Sequence, residues 1–488
     1  MLRNNTRFAP VVTRARLVGR SRAATLSLAL ATVPLAVIPA TLLAHARLVR
    51  SEPAAGAKGV APTRIRLFFS EEPVVAMTRL HLVGAAGDTV ELSSPRVDSS
   101  DAHVLIADVT GRVGAGGYTL TWSTAARDGH ASKGSFSFSV EGAAPSGADT
   151  ASKSSAAAVT ARVDSEKTAM RQEEASDSMQ AKAPVTVAGV LTRLLGYASI
   201  FLIVGAVIFK TFVLPRAGAA EGDALMDVAS TNAATLGMVA SVGSLIATIL
   251  KLVQESSDMP EIGMPAMAFS SAWGWSLIVA AIAAVFALFG FWRAHSAAGT
   301  SGNSGWRIAL IAAVPLVVAP AFGGHAIASD QAWLAVPADI IHVGAGSVWL
   351  GTLTVIIVVG ISAALKTSDS SAGSRIASFI NVFSPMALVC GAAVVITGVT
   401  AAFIHVPRLG AFLTSAYWYT SYGSALYRKL VFVVLLMLVG AWNFRRTKPR
   451  LSRDGAVTPL RRVATLEIVL ATVVLGLTSI LVALAMPQ

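Results

Sequence analysis

Eight separate apolar stretches, each long enough to cross a bilayer, constrain this chain more than anything else in it. They lie at about 188–214, 233–253, 272–292, 307–327, 334–364, 376–404, 425–444 and 463–486. A hydrocarbon core about 30 Å thick takes about 20 helical residues, and within it each backbone N–H and C=O must find its partner inside the segment. The stretches therefore predict a polytopic α-helical domain of about eight spans over residues 186–488. The fifth and sixth run long, which predicts tilting or an external half-turn. Only 14% of the 488 residues are charged, and most of the polar sequence is confined to residues before 186.

The net charge of +12 does not point to nucleic acid, because of where it sits. Six arginines fall in residues 1–44, and the segment Arg445 to Arg462 carries seven basic residues against the single acid Asp454. The first group reads as the lead of a signal and the second as a loop between spans. Basic residues Arg293 and Arg307 mark another cytoplasmic loop, whereas Glu255, Asp258 and Glu261 mark an outer one. The first inner loop, with Glu221, Asp223 and Asp227, fits this rule poorly. Eight spans with both termini outside remain the best solution, so the chain is read as a multi-pass cell-membrane protein whose lipid partner is the bilayer.

Residues 1–44 read as a signal peptide, residues 45–140 as a soluble all-β domain and residues 141–185 as a flexible linker. Pro34 and Pro39 interrupt the apolar part of the first segment, which favours a cleaved signal over an anchor. In the second, Arg64–Leu67, Leu80–Val83 and Ser135–Val140 alternate apolar and polar residues, and Gly84, Gly87-Asp88 and Gly114–Gly117 punctuate them. About seven short strands in a domain of this size predict a β-sandwich, with Tyr118 and Trp122 on one side of a strand as core residues. The linker is Ala, Ser and mixed charge; about 44 such residues span roughly 35–40 Å, enough for the sandwich to swing over the membrane face.

Cutting the signal after Ala44 makes His45 the N-terminal residue, able to offer both its amine and its imidazole. Cutting after Ala46 satisfies the small-x-small rule better and discards His45. Asp128-Gly129-His130 supplies a carboxylate and a second imidazole. Amine, imidazoles and carboxylate suit tetragonal Cu(II), with Zn²⁺ as the competing ion. In the spans, His325, His342 and His405 are placed in the outer half of the membrane, where polar groups cost free energy and mark a pathway. The plainer reading of any one of them is a helix-to-helix hydrogen bond. Asp339 precedes His342 by three, so the two share a helical face, as a fixed tautomer pair or as a ligand with its supporting carboxylate. Met259, Met264 and Met267 sit in or near the acidic outer loop; thioethers select Cu(I), but these read as packing residues. His81 and His103 read as surface residues. The single cysteine, Cys390, excludes a disulfide framework and Cys-x-x-Cys sites. There is no Walker A motif, no aspartyl-phosphate signature and no nucleophile–base pair, so nothing supports nucleotide-driven transport or hydrolytic catalysis.

These pieces resemble a known pair of families. His45-Ala46-Arg47-Leu48, Ser51-Glu52-Pro53-Ala54, Leu67–Pro73 and Asp128-Gly129-His130 with Gly134-Ser135-Phe136 are similar to the copper-binding protein CopC. Gly324-His325-Ala326, His342–Gly351, Phe383-Ser384-Pro385, Thr397-Gly398 and Tyr422-Gly423 through Lys429 to Asn443 resemble the membrane protein CopD. The resemblance implies an Ig-like sandwich that holds Cu(II) through the His45 amine and imidazole, Asp128 and His130, and cleavage after Ala44. It implies copper uptake through the membrane domain, with His325 and His342 as candidate ligands, Asp339 and His405 as auxiliaries, and Cu(I) as the alternative state there. Copper is then the partner ion, supplied by an extracytoplasmic donor or reductase that the sequence does not identify. With only Met77 in the sandwich, the methionine-rich Cu(I) site of some CopC proteins is not expected. Sequestration without transport is the alternative function; a copper-dependent oxidative enzyme is disfavoured because Asp128 fills a position that oxygen chemistry needs open.

Overall fold

A computed structural model describes residues 48–127, 131–141, 186–220, 223–258, 260, 262–296, 300–329, 331–367, 371–405, 418–447 and 457–484. The signal segment and nearly all of the linker lie outside these residues.

The soluble part is a two-sheet sandwich of nine strands. In chain order they are β1 (Leu48–Glu52), β2 (Lys58–Gly59), β3 (Arg64–Phe69), β4 (Arg79–Gly84), β5 (Thr89–Val90), β6 (Arg96–Val97), β7 (Val104–Asp108), β8 (Gly116–Ala125) and β9 (Ala131–Val140). One sheet runs β1-β3-β7-β6 and the other β2-β9-β8-β4-β5. Three strands are only two residues long, too short to show alternation, so a reading by period finds fewer. β3 buries Ile65, Leu67 and Phe69 and turns Arg64, Arg66 and Phe68 outward, as its alternation requires. Tyr118 and Trp122 are buried, as expected from their shared face. Trp122 meets Phe69 from the facing sheet edge-on at 5.2 Å, a geometry worth about 0.5–1.5 kcal/mol beyond burial alone. The Tyr118 hydroxyl donates to the Gly114 carbonyl at 3.0 Å, which satisfies the polar tip of a buried ring.

The membrane part has eight helices long and apolar enough to span: Val187–Arg216, Ala224–Ser257, Ala272–Ser296, Asn303–Phe322, Ala332–Thr367, Ala372–Ile404, Ser421–Arg446 and Thr458–Leu481, here spans 1 to 8. Span 2 starts before its apolar stretch because the polar turn around Asp227 and Thr231 continues the helix. Span 4 ends earlier than the 307–327 stretch suggests. Pro320 lies in a final 3-10 turn and Gly323-Gly324 follow, so the helix stops and His325 opens a separate short helix, His325–Ala328.

Spans 1 and 5 form the centre. Of their most apolar windows 61% and 67% are buried, against 11% and 17% for spans 6 and 7. Gly205 and Gly351 allow the close approach of the central pair: a Cβ on Gly205 would overlap the Gly351 backbone, and one on Gly351 the Phe201 carbonyl. Gly351 closes a π-helical turn, Ser347–Gly351, and a second such turn, Ile356–Gly360, follows in the same span. Outside the spans, residues 264–269 form a short helix rather than a loop. It packs against the sandwich turn Val75–Met77, so the two domains touch there.

Candidate functional site

His45, Asp128 and His130 lie outside the described residues, but the strand register fixes what surrounds that end of the sandwich. Leu48 at the start of β1 pairs with Phe69, and Ala131 at the start of β9 pairs with Ala125. Pro73 bridges to Ala126, and Arg127 Nη1 lies 2.9 Å from Glu72 Oε2. The chain segments leading to all three residues therefore meet at one end. His81 is exposed; His103 is half-buried beside Asp101, at 3.3 Å, and its carbonyl accepts from the Phe69 N–H at 2.9 Å, so its backbone lies at that same end.

In the membrane, the described polar residues gather around His342. Its Nδ1 lies 2.9 Å from Thr397 Oγ1 of span 6. The threonine hydroxyl has one hydrogen and gives it to the Ala393 carbonyl at 2.7 Å, an i−4 bond within its own helix. With that hydrogen on Ala393, the hydroxyl accepts from His342 Nδ1–H, the tautomer in which Nε2 carries the lone pair. That is the protonation pattern of a metal-binding imidazole whose other nitrogen is anchored. Gly398, next along, keeps space beside the ring: a Cβ there would sit 3.5 Å from His342 Cε1.

Asp339, one turn before His342, interacts electrostatically with Lys429 of span 7 and with Tyr197 of span 1, and Lys429 also acts on His342. Four spans thus contribute to one cluster holding an acid, a base, an imidazole and two hydroxyls. Lys429 is the main residue that reading by histidine missed. Its signal was present, since a lysine in the apolar run after Tyr422 is costly unless it faces an acid.

The three span histidines stagger rather than share a depth. His342 lies ten residues inside span 5, about 15 Å below its first residue at 1.5 Å per residue. His405 ends its helix seven positions beyond Gly398, about 10 Å further along span 6. His325 is outside span 4 altogether. Among the described residues, no group of three or more His, Cys, Asp or Glu side chains gathers in one place. His342 is therefore one imidazole with Asp339 and neutral oxygen groups as its polar neighbours.

A second buried acid lies in span 8. Glu467 is 4% exposed and accepts from Asn443 Nδ2 of span 7 at 2.9 Å, while Asn443 Oδ1 is buried without a partner. Asn443 opens a π-helical turn that carries Arg445 and Arg446.

Comparison with known proteins agrees with this architecture. Residues 48–141 match the CopC domain model, and residues 377–481 match that of copper resistance protein D, CopD. The CopD match covers spans 6 to 8, including Thr397, Lys429, Asn443 and Glu467, and leaves Asp339 and His342 upstream of it. Copper transport protein CutJ of Bacillus subtilis is 22% identical over 424 residues, covering 85% of this chain and 70% of CutJ. Protein YobA of Escherichia coli K12 is 30% identical over 122 residues, 25% of this chain and 98% of YobA. Copper resistance protein C of Pseudomonas syringae pv. tomato is 32% identical over 110 residues, 22% of this chain and 87% of that protein. Of solved structures, CopC from Methylosinus trichosporium OB3b matches over its whole length and 21% of this chain, at 19% identity and a TM-score of 0.20. With strand register, span count and sequence in agreement, the chain belongs to the CopC family and joins to its CopC domain a membrane region of the CopD family.

Proposed function

We propose that this chain is a copper-uptake protein of the cell membrane. Its sandwich stands on the extracytoplasmic side, takes Cu(II) through the His45 amine and imidazole, Asp128 and His130, and passes copper to a membrane site at His342. The observation that carries the reading is the His342 ring held between spans 5 and 6, with Nδ1 2.9 Å from Thr397 Oγ1. It lies in the outer half of the membrane by the charge-based topology, within a cluster that also holds Asp339 and Lys429. The basic inner segments support that orientation. A transport role is supported by the name of the relative CutJ, a copper transport protein that aligns with most of the chain.

The test is copper accumulation in cells carrying His342→Ala against wild type, with membrane levels of protein matched. Loss of accumulation is expected; unchanged uptake sinks the membrane pathway. A second reading, sequestration without transport, is favoured by the relatives named copper resistance protein C. Uptake into proteoliposomes by the purified protein separates the two, because a sequestering protein binds copper and moves none. No enzymatic step is assigned, since the proposed ligand set fills the metal's equatorial positions.

A further inference from the structure

Two methionines that the proposed pathway does not use are brought together by the fold. Met77, in the 3-10 turn of the sandwich, and Met267, in the short outer helix, are both 0% exposed and belong to one packed cluster. With them are Ala125, Ile262, Trp273 and Leu277, fringed by Val74, Leu252 and Ala266. The other members of this apolar cluster are hydrocarbon or indole, and the hydroxyls beside it, Ser271 and Ser276, donate to the backbone carbonyls of Met267 and Trp273. From the sequence Met267 reads as packing residue and Met77 as an isolated methionine. The structure sets one on each side of the contact between the two domains.

The position matters as much as the chemistry. Ala125 is three residues before Asp128, and Val74 donates its N–H to the Ala125 carbonyl at 2.8 Å, so this is the sandwich end where the copper ligands are expected. On the other side, Trp273 borders Gly323, where a Cβ would lie 3.5 Å from the indole Cδ1, and Gly323 leads directly to Gly324-His325. Lys251 Nζ links the two, 5.7 Å from the Trp273 ring centroid and 3.3 Å from the Gly323 carbonyl. The Trp273 indole nitrogen is itself buried without a hydrogen-bond acceptor among the described residues.

We infer that Met77 and Met267 form an inter-domain Cu(I) site between the sandwich and the membrane domain, with the Trp273 ring as its aromatic wall. Two thioethers select a soft cation, and an indole face attracts a positive charge. The nearby Lys251 ammonium repels a dication about twice as strongly as a monocation, which sharpens the preference. No redox step belongs to the site itself: the Cu(II) held by the sandwich reaches it only after reduction by an external thiol, two Cu(II) and two thiols giving two Cu(I), one disulfide and two protons. The inference extends the capture-and-pass reading above, but its own test is binding and does not depend on transport.

The test uses the purified full-length protein, loaded with Cu(I) under anaerobic conditions and titrated with a chromophoric Cu(I) chelator. Leucine replaces methionine with little change in volume, so the contact stays packed when the sulfurs go. Met77→Leu/Met267→Leu is expected to lose about one Cu(I) equivalent together with sulfur scattering in X-ray absorption, while Cu(II) binding by the sandwich persists. Met264→Leu, at an exposed neighbouring position, is expected to retain both. If the double variant keeps the same Cu(I) equivalents and the same sulfur scattering, the site does not exist. That result leaves the His342 pathway untouched, and a failure of uptake in proteoliposomes would leave the Cu(I) measurement standing.

Discussion

The imidazole of His342 and the hydroxyl of Thr397, 55 residues apart in sequence, meet at 2.9 Å between spans 5 and 6. With the Thr397 hydrogen on Ala393, the contact favours the Nδ1–H tautomer as well as holding the ring. Thr397→Val keeps the shape and removes the anchor. Copper affinity of the membrane domain should fall about 10–100-fold, the usual cost of losing such a support. Thr397→Ser should restore most of it. Equal affinity for threonine and valine, measured by copper titration of a variant lacking the sandwich ligands, would disprove the anchoring role.

Asp339 and Lys429 should behave as a coupled pair. Either Asp339→Asn or Lys429→Met alone leaves one charge in the membrane without its opposite, and both should lower the yield of folded protein. The double variant should recover part of the loss, with a coupling energy of about 0.5–3 kcal/mol in a mutant cycle. Additive losses would mean that the two charges act independently.

Glu467 accepts from Asn443, and Asn443→Leu removes that donor from a buried carboxylate. The expected cost is about 1–3 kcal/mol, read as a lower thermal midpoint in detergent. Adding Glu467→Gln to this variant should relieve it, since the acid is then neutral. No difference between the single and double variants would show that the carboxylate is satisfied elsewhere.

The spine of the membrane domain predicts a steric result. Gly351→Ala drives a methyl group into the Phe201 carbonyl, where backbone rather than a flexible side chain must yield. Overpacking of this kind costs about 1–3 kcal/mol. Gly440→Ala, with open space around it, should cost nothing comparable, and a similar midpoint for the two variants would contradict the close packing.

Acid should weaken the sandwich in a defined direction. The Ser100 hydroxyl and backbone N–H, with Arg66, hold Asp98 below the usual carboxylate range; Arg64 and then Arg96 do the same for Asp108. The folded state therefore binds these protons more weakly than the unfolded chain. The resulting stability is complete above the ordinary carboxylate range and is lost as pH falls through the depressed values. Ser100→Ala should lower the sandwich's thermal midpoint near neutral pH and converge with wild type in acid. Parallel curves would rule out the Asp98 contribution.

The elements were legible in sequence wherever a period or a length carried them. The alternation in β3 announced its buried Ile65, Leu67 and Phe69, and runs of about 20 apolar residues announced the spans. Polar pairings between distant segments were not legible. Nothing near His342 in sequence names Thr397, and nothing in Asp339 points to Lys429, because these contacts exist only once helices pack. The apolar run through Gly323-Gly324 misled for a different reason: hydropathy counts these residues as membrane, while Pro320 and two glycines end the helix. Met77 and Met267 carry no pattern at all, since what brings them into one cluster is contact between segments far apart in sequence.

The tight seam between Gly205 and Gly351 has a mechanical consequence. Two helices whose backbones touch cannot slide or tilt past one another, so spans 1 and 5 behave as a fixed mast. Spans 6 and 7, with little of their surface covered by protein, are the sails. His342 is mounted on the mast, while Thr397, Gly398 and Lys429 belong to the less covered spans 6 and 7. Any swing of spans 6 and 7 large enough to open a route past His342 must also release its tether, so the same displacement that frees the ion's path lets the imidazole turn.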